Sequence, residues 1–354
     1  MQLLDKWLNP AQNGLIGLDI GSGAVKLVAL RSASSGWRAS CAAWAEIVPS
    51  DDKATQRSNT LEAVRACLSQ IPSSSGRYAV CGLSGPDAAV RGFTFPTLPL
   101  DALEKAVRFE AQQVCPMDMQ HAVLDYQLLM PSADAEGPKA QSGVMVAGVE
   151  QAVNERCRLV KEAGAKVALM DADGLAALNC LSELEDLALY RTVALIDLGA
   201  HYTNVIMLGA NGLPFVRDLN TGSESLIAQA AEKTEQAVET VRQWIWDADG
   251  EPMPEAGRMA FHQASRPLAM NINETLKYYA SQEKSPFVER VYLCGAGAMV
   301  RPLVDLLCDA LPTEVSVFDP FAAIRFDSSV TGAELLTTRG PAFTAAAGLA
   351  MRTV

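Results

Sequence analysis

Two short segments carry the residue types that hold phosphate and magnesium, and they overlay without a gap. Ile16-Gly-Leu-Asp19-Ile-Gly21-Ser22-Gly23-Ala-Val-Lys26-Leu-Val-Ala-Leu30 lies over Ala194-Leu-Ile-Asp197-Leu-Gly199-Ala-His-Tyr-Thr203-Asn204-Val-Ile-Met-Leu208. In each, an apolar strand ends in aspartate, followed by an apolar residue, glycine, a polar tip and a second apolar strand. Glycine lets such a turn bring backbone N–H groups close to an oxyanion. Ser22, Thr203 and Asn204 add polar side chains, and Lys26 adds charge. Asp19 and Asp197 are unsuited to touching phosphate directly, because both partners are negative. They become useful when Mg2+ lies between, commonly through its waters. The pair therefore predicts two facing hairpins that clamp a magnesium-bridged polyphosphate, with Asp19 and Asp197 on the metal side.

A third segment, Leu293-Cys-Gly295-Ala296-Gly297-Ala298, reads as a buried strand entering a glycine turn before a helix. Glycines there admit a flat ligand, and a helix N-terminus favours phosphate. Taken singly, an Asp-x-Gly strand end or a Gly-x-Gly turn is usually only a tight connection. Two in-register copies followed by the glycine turn form a more specific constellation.

The elements that must position these residues follow from period and punctuation. Leu15–Ile20, Val25–Arg31 and Trp37–Ile47 read as an antiparallel meander, Leu61–Gln70 as helix and Tyr78–Gly82 as a buried strand. Asp101 reads as an N-cap with Glu104 as its capping-box partner, opening a helix to about Gln113. His121–Met130 and Ser142–Val149 are predicted strands around a loop at Pro131–Pro138, Glu150–Gly164 a helix, and Val167–Met170 a strand. Arg91–Gly164 thus looks like a small α/β insertion. Thr192–Asp197, His201–Leu208 and Gly212–Asp218 repeat the opening meander. A mostly helical stretch runs from Gly222 to Ser281, broken around Gly250–Pro254. Val291–Cys294 and Glu314–Phe318 are strands flanking a helix to about Ala310, and Pro341–Met351 is a closing helix.

Length and composition bound the function. A chain of 354 residues exceeds one compact core and points to two lobes. A net charge of -12, with no run of Lys and Arg, argues against nucleic acid as a partner. No apolar stretch approaches the roughly 20 residues of a membrane span. Leu3, Leu4, Trp7 and Leu8 would share a face of a short terminal helix docked on the body. Eight separate cysteines and only three histidines leave no clustered metal signature, and the chain reads as cytoplasmic.

The two hairpins and the glycine turn, in this order, resemble the superfamily of actin, sugar kinases and heat-shock chaperone ATPases. Within it, Leu18-Asp-Ile-Gly-Ser-Gly-Ala-Val-Lys-Leu-Val28 is similar to the opening of the PilM family, actin-like proteins of bacterial type IV pilus assembly. Phe95-Pro-Thr-Leu-Pro99, the Ala106–Gln113 helix, Cys115-Pro116 and Leu124-Asp-Tyr126 resemble that family's inserted subdomain, 1C. Asp173-Gly-Leu-Ala-Ala-Leu-Asn179 resembles its connecting helix. Val317-Phe-Asp-Pro-Phe321 is similar to its late Asn-Pro-Phe-like segment, and Ala342–Arg352 to its last connecting helix.

The resemblance implies an α/β, actin-like (ribonuclease H-like), two-lobed ATPase fold. Subdomain 1A would span 14–90, completed by about 165–191 and 340–354; 1C would span 91–164; 2A, 192–225 and 286–339; and 2B, 226–285. It implies ATP and Mg2+ in the cleft, held by Asp19, Gly21, Ser22, Gly23, Lys26, Asp197, Gly199, Thr203, Asn204, Gly222, Gly295, Ala296 and Gly297. It also implies a partner, the N-terminal cytoplasmic peptide of a PilN-like inner-membrane protein, bound beside 1C. The chain would then be peripheral at the inner membrane, and it allows a homo-oligomer. Three departures predict reduced or lost nucleotide affinity: Ala296 where glycine is usual, no clear Ala-Glu-x-x-Lys near Glu239–Trp246, and no paired glycines in Asn220-Thr-Gly222-Ser-Glu.

Three alternatives share the fold: an FtsA-like division protein, a platform component of type II secretion, and a small-molecule kinase. FtsA ends in an amphipathic helix, which Ala350-Met-Arg-Thr-Val354 does not resemble. A kinase needs a cleft carboxylate with a substrate pocket, and no second such constellation stands out. A hydrolase fails on spacing, since Gly82-Leu-Ser84-Gly85 is not a full nucleophile elbow. His201 is the one histidine near the turns, so no water-orienting residue is assignable and slow turnover is the most expected.

Overall fold

A computed structural model of the chain describes residues 15–34, 36–71, 77–129, 140–246, 253–282 and 287–352. The terminal segment with Leu3 to Leu8, the Pro131–Pro138 loop and the Gly250 end of the expected break at Gly250–Pro254 lie outside the described residues. The opening meander forms β1 (Ile16–Ile20), β2 (Ala24–Ala33) and β3 (Gly36–Glu46). They join β4 (Tyr78–Leu83) and β8 (Lys166–Ala172) in a sheet ordered β3-β2-β1-β4-β8. The second half gives β9 (Thr192–Leu198), β10 (Thr203–Gly209), β11 (Pro214–Leu219), β12 (Arg290–Cys294) and β13 (Glu314–Val317), ordered β11-β10-β9-β12-β13. The two orders are the same, with a meander on one side and two parallel strands on the other. The repeat read in the hairpins therefore extends to both whole sheets.

Period-2 burial assigns the faces. Leu18, Val25 and Leu27 turn to α1 (Lys53–Ser69) and α3 (Glu150–Glu162) on the outside of the first sheet. Ala194, Ile196, Val205 and Met207 turn to α5 (Ser223–Thr234), α7 (Glu255–Gln282) and α8 (Arg301–Ala310) on the outside of the second. Between the sheets, Val28, Leu195 and Ile206 share a core with α4 (Asp173–Leu184) and α10 (Thr344–Ala350). Small residues let this middle layer close up. A Cβ on Gly348 would collide with the Ala176 backbone, so α10 meets α4 nearly backbone to backbone.

A third sheet, ordered β5-β7-β6, holds β5 (Ala88–Pro96), β6 (Ala122–Leu128) and β7 (Ala140–Val149). Leu103, Val107 and Ala111 of α2 (Leu100–Val114) cover it, with Phe93, Met145 and Ala147 beneath. This sheet bridges the lobes: Arg91 reaches the Val216 carbonyl of β11 at 3.4 Å, and Asp218 accepts the Gly85 N–H. The expected insertion, 91–164, also contained α3, whose Leu159 and Val160 pack on the first sheet instead.

Other differences have local causes. α1 begins well before Leu61, because Asp52 caps it by accepting the Thr55 N–H at 2.8 Å. Its first turns are exposed and carry no apolar period. Asp101 is not an N-cap; Pro99 occupies that position without a side-chain bond, and Asp101 sits in the first turn. The long helical stretch breaks a second time at Glu235, in the left-handed region at φ 54°, before α6 (Val238–Trp246). Finally, residues assigned to the second lobe up to 339 cross to the first. Ala39 and Ala42 of β3 donate to the carbonyls of Arg325 and Thr331, each at 2.8 Å, and α9 (Ala333–Thr338) packs along β3. This strap covers an otherwise bare sheet edge.

Candidate nucleotide cleft

Each repeat folds as a tight hairpin closed by the same bond. Gly21 donates its N–H to Ala24 at 3.1 Å, and Gly199 donates to Tyr202 at 3.0 Å. The glycines' own N–H groups are therefore spent inside the turns. Those left for an oxyanion belong to the tips, Ser22-Gly23 and Ala200-His201, where Ser22 and His201 are exposed. Cross-strand pairing sets Asp19 opposite Lys26 and Asp197 opposite Asn204. Lys26 and Asn204 thus occupy equivalent places on the floor of each hairpin.

Lys26 is not a free cation. Its Nζ donates to Asp19 Oδ2 at 2.8 Å, and both side chains are nearly buried. Burial lowers the ammonium pKa, yet Asp19, seconded by Asp197 and Asp173, outweighs that cost and raises it. In the second hairpin the Asn204 side chain donates to Asp197. Burial pushes Asp197 up to about 6, against the pull of Lys26. Thr203 takes no part in the cleft. It overlays Val25, faces the core and donates its hydroxyl to the Thr221 carbonyl at 2.8 Å.

The residue that sequence reasoning missed is Asp173, the first of α4. It was legible only as the start of a connecting helix. Gly82 of β4 leaves room for its side chain, Ser84 bonds to it, and only 5% of it is exposed. Burial and the neighbouring Asp19 push it up to about 7, while Arg156 of α3 pulls the other way. Arg156 is anchored by donating to the Ile20 carbonyl at 2.6 Å. Three carboxylates and two cations thus converge at the base of the cleft.

Gly295 completes the enclosure. Its φ of 82° suits glycine, and a Cβ there would strike Asp197 Oδ1 and Leu198. Its N–H is fixed by the Pro341 carbonyl at 2.9 Å. Ala296 and Gly297 continue as a single 3-10 turn, so α8 starts only at Arg301 and its N-terminus does not meet the glycine turn. Gly222 packs on the second tip, because the N–H groups of Ser223 and Glu224 bind the Gly199 and Ala200 carbonyls. Near Glu239, Arg242 stands in a cluster with Glu224 and Glu239. Glu239 and Arg242 have Glu-x-x-Arg spacing, with arginine where an Ala-Glu-x-x-Lys element would carry lysine.

The residues present suit a hydrated cation. Among the described residues Asp173 Oδ1 and Asn204 Oδ1 are buried acceptors without a donor, which the waters of Mg2+ would satisfy. Among the described residues no three His, Cys, Asp or Glu side chains are placed to ligate a metal directly. The tips meet across the gap: a Cβ on Gly23 would lie 2.9 Å from Ala200 Cβ. A phosphate chain between these tips would require the lobes to part.

Two like-ordered sheets around paired helices, with facing hairpins and an inserted small sheet, define an actin-like ATPase fold. The sequence profile of the type IV pilus assembly protein PilM matches residues 17–354, and the chain belongs to the PilM family. It is an actin-like protein of type IV pilus assembly. Among solved structures it is similar to a chain of a PilM–PilN type IV pilus biogenesis complex. That match has 24% identity, covers 96% of this chain and 98% of that one, and has a TM-score of 0.79. It is also similar to the ethanolamine utilization protein EutJ of Carboxydothermus hydrogenoformans (14% identity, 95% and 89% covered, TM-score 0.55). A third likeness is to a diol dehydratase-reactivating factor in nucleotide-free form (10%, 95% and 98%, TM-score 0.53).

Proposed function

We propose that the chain is a magnesium–ATP-binding scaffold of the type IV pilus inner-membrane platform, whose partner is the N-terminal cytoplasmic peptide of a PilN-like membrane protein. The observation that carries the nucleotide half is the convergence of Asp19, Asp173 and Asp197 on Lys26, between two glycine hairpins. Buried like charges of that kind favour a cation in their midst. Bound Mg2+ would neutralise phosphate charge. Asp19 and Asp197 would orient its waters, and the Ser22-Gly23 and Ala200-His201 tips would offer N–H groups to phosphate.

The partner half is supported by the similarity to a PilM–PilN complex and by the inserted sheet. Among the described residues its outer strand, β6, pairs only with β7, leaving an edge suited to an extended peptide, with Val123 exposed on one face and Leu128 on the other. Among the described residues no helix is long and apolar enough to cross a membrane, so attachment to the platform would come through that partner. Because Arg91 and Gly85 tie the insert to β11, parting of the lobes would shift the insert against one of them.

The expected result is saturable binding of a labelled peptide from the partner's N-terminus, with an affinity that changes when Mg-ATP is added. Equal binding of a scrambled peptide would remove the partner claim, and an unchanged affinity under saturating Mg-ATP would remove the coupling.

A further inference from the structure

With Lys26 neutralised by Asp19, the first lobe needs another positive charge to face a polyphosphate. We infer that Arg339, at the end of the strap, is a phosphate-positioning residue of the cleft, acting with Lys26 around the indole of Trp44. The inference rests on the nucleotide reading above and assigns a residue to it that neither motif nor repeat contains.

Four observations place it. Trp44 lies opposite Lys26 across the β2–β3 ladder, and Lys26 Nζ stands 5.6 Å from its ring centroid. The Arg339 guanidinium lies over the same ring at 5.0 Å. Two residues beyond Arg339, the Pro341 carbonyl fixes the Gly295 turn, so Arg339 is bracketed by the first hairpin and the glycine turn. Among the described residues its guanidinium forms no ion pair, unlike Lys26.

The indole adds a donor of its own. Trp44 Nε1 is buried and, among the described residues, has no acceptor. Two cations and an unpaired N–H around one ring therefore lack an anion that the protein supplies only in part, through Asp19. Stacking on tryptophan holds a cation at modest strength while leaving its N–H fork free for phosphate oxygens. The ring, backed by Phe343 at 5.9 Å, keeps the long arginine side chain ordered before ligand arrives. Arg339 reaches this place only because the strap pairs with β3, which explains why no local sequence pattern announces it.

The test is equilibrium binding of fluorescent ATP, ADP and AMP, each with Mg2+, to the full chain, comparing wild type, Arg339→Gln and Arg339→Lys. Arg339→Gln should weaken ATP by about 10-fold or more and AMP by less, since a lost charge is felt in proportion to phosphate charge. Arg339→Lys should recover part of the loss. Trp44→Phe keeps the stack in smaller form and should give an intermediate loss. Equal weakening of all three nucleotides, or no weakening, by Arg339→Gln would overturn the inference, provided wild type binds. If wild type binds none of them, the nucleotide reading itself fails. A thermal unfolding midpoint of Arg339→Gln within a few degrees of wild type separates a lost contact from a lost fold.

Discussion

Asp197→Asn should weaken Mg-ATP binding by about 100-fold, with little effect on nucleotide binding measured in EDTA. The substitution keeps the shape and leaves an oxygen to accept the Asn204 amide, so the hairpin persists. What it removes is the negative charge that would hold the waters of the cation. Asp19→Asn is a poorer choice, because Lys26 would lose its 2.8 Å partner in a nearly buried site, and stability and affinity would fall together. Titration calorimetry with and without Mg2+ checks the prediction. Equal affinity of Asp197→Asn and wild type in Mg2+ would show that the carboxylate does not serve the metal.

Asp173→Asn should stabilise the nucleotide-free protein at pH 8, by about 2 kcal/mol, and leave it unchanged at pH 4. Burial, with Asp19 beside it, pushes the Asp173 carboxyl from its ordinary 3.8 up to about 7 in the folded chain. Below the ordinary value, folded and unfolded chains both hold the proton. Between about 4 and 7 only the folded chain holds it, so stability falls as pH rises and the full cost is present above 7. An amide removes that cost. The shift caps the gain at about 4 kcal/mol, and the altered Ser84 bond and lost helix-terminus attraction reduce it. Denaturant melts at the two pH values measure the difference. A variant less stable than wild type at pH 8 would mean that Asp173 is held as a satisfied charge and is no part of an excess.

Such an excess is typical of a site built for a ligand and not for the empty fold. Asp19, Asp173 and Asp197 repel in the closed cleft, and Mg2+ entering between them would remove the penalty while the lobes adjust. In that way ligand binding would draw on stability withheld from the free protein, and through Arg91 and Gly85 the change would reach the inserted sheet.

The sequence made the hairpins legible because each is local, repeated and in register. The same overlay also bears on the side chains flanking the turns. Placing Thr203 on Val25 already implies a core-facing hydroxyl, and a tight turn already sets Asp19 across from Lys26. Asp173 was hidden because an aspartate between strand and helix ordinarily starts the helix. Its meaning depends on Gly82 and Ser84, distant in the chain. Arg339 was hidden for a stronger reason: the pairing of β3 with Arg325 and Thr331 spans most of the chain and has no periodic signature. The start of α1 was misplaced because its first turns are polar and exposed, whereas the limits of α2 agree to within a residue and only its cap differs, Pro99 standing in place of Asp101.

Diffraction from crystals grown with Mn2+ and a non-hydrolysable ATP analogue tests the central claim most directly. An anomalous peak is expected between the hairpins, with Asp19 and Asp197 beside it and phosphates against the Ser22-Gly23 and Ala200-His201 tips. Manganese located away from both aspartates, or an ordered analogue that touches neither hairpin, would contradict the account.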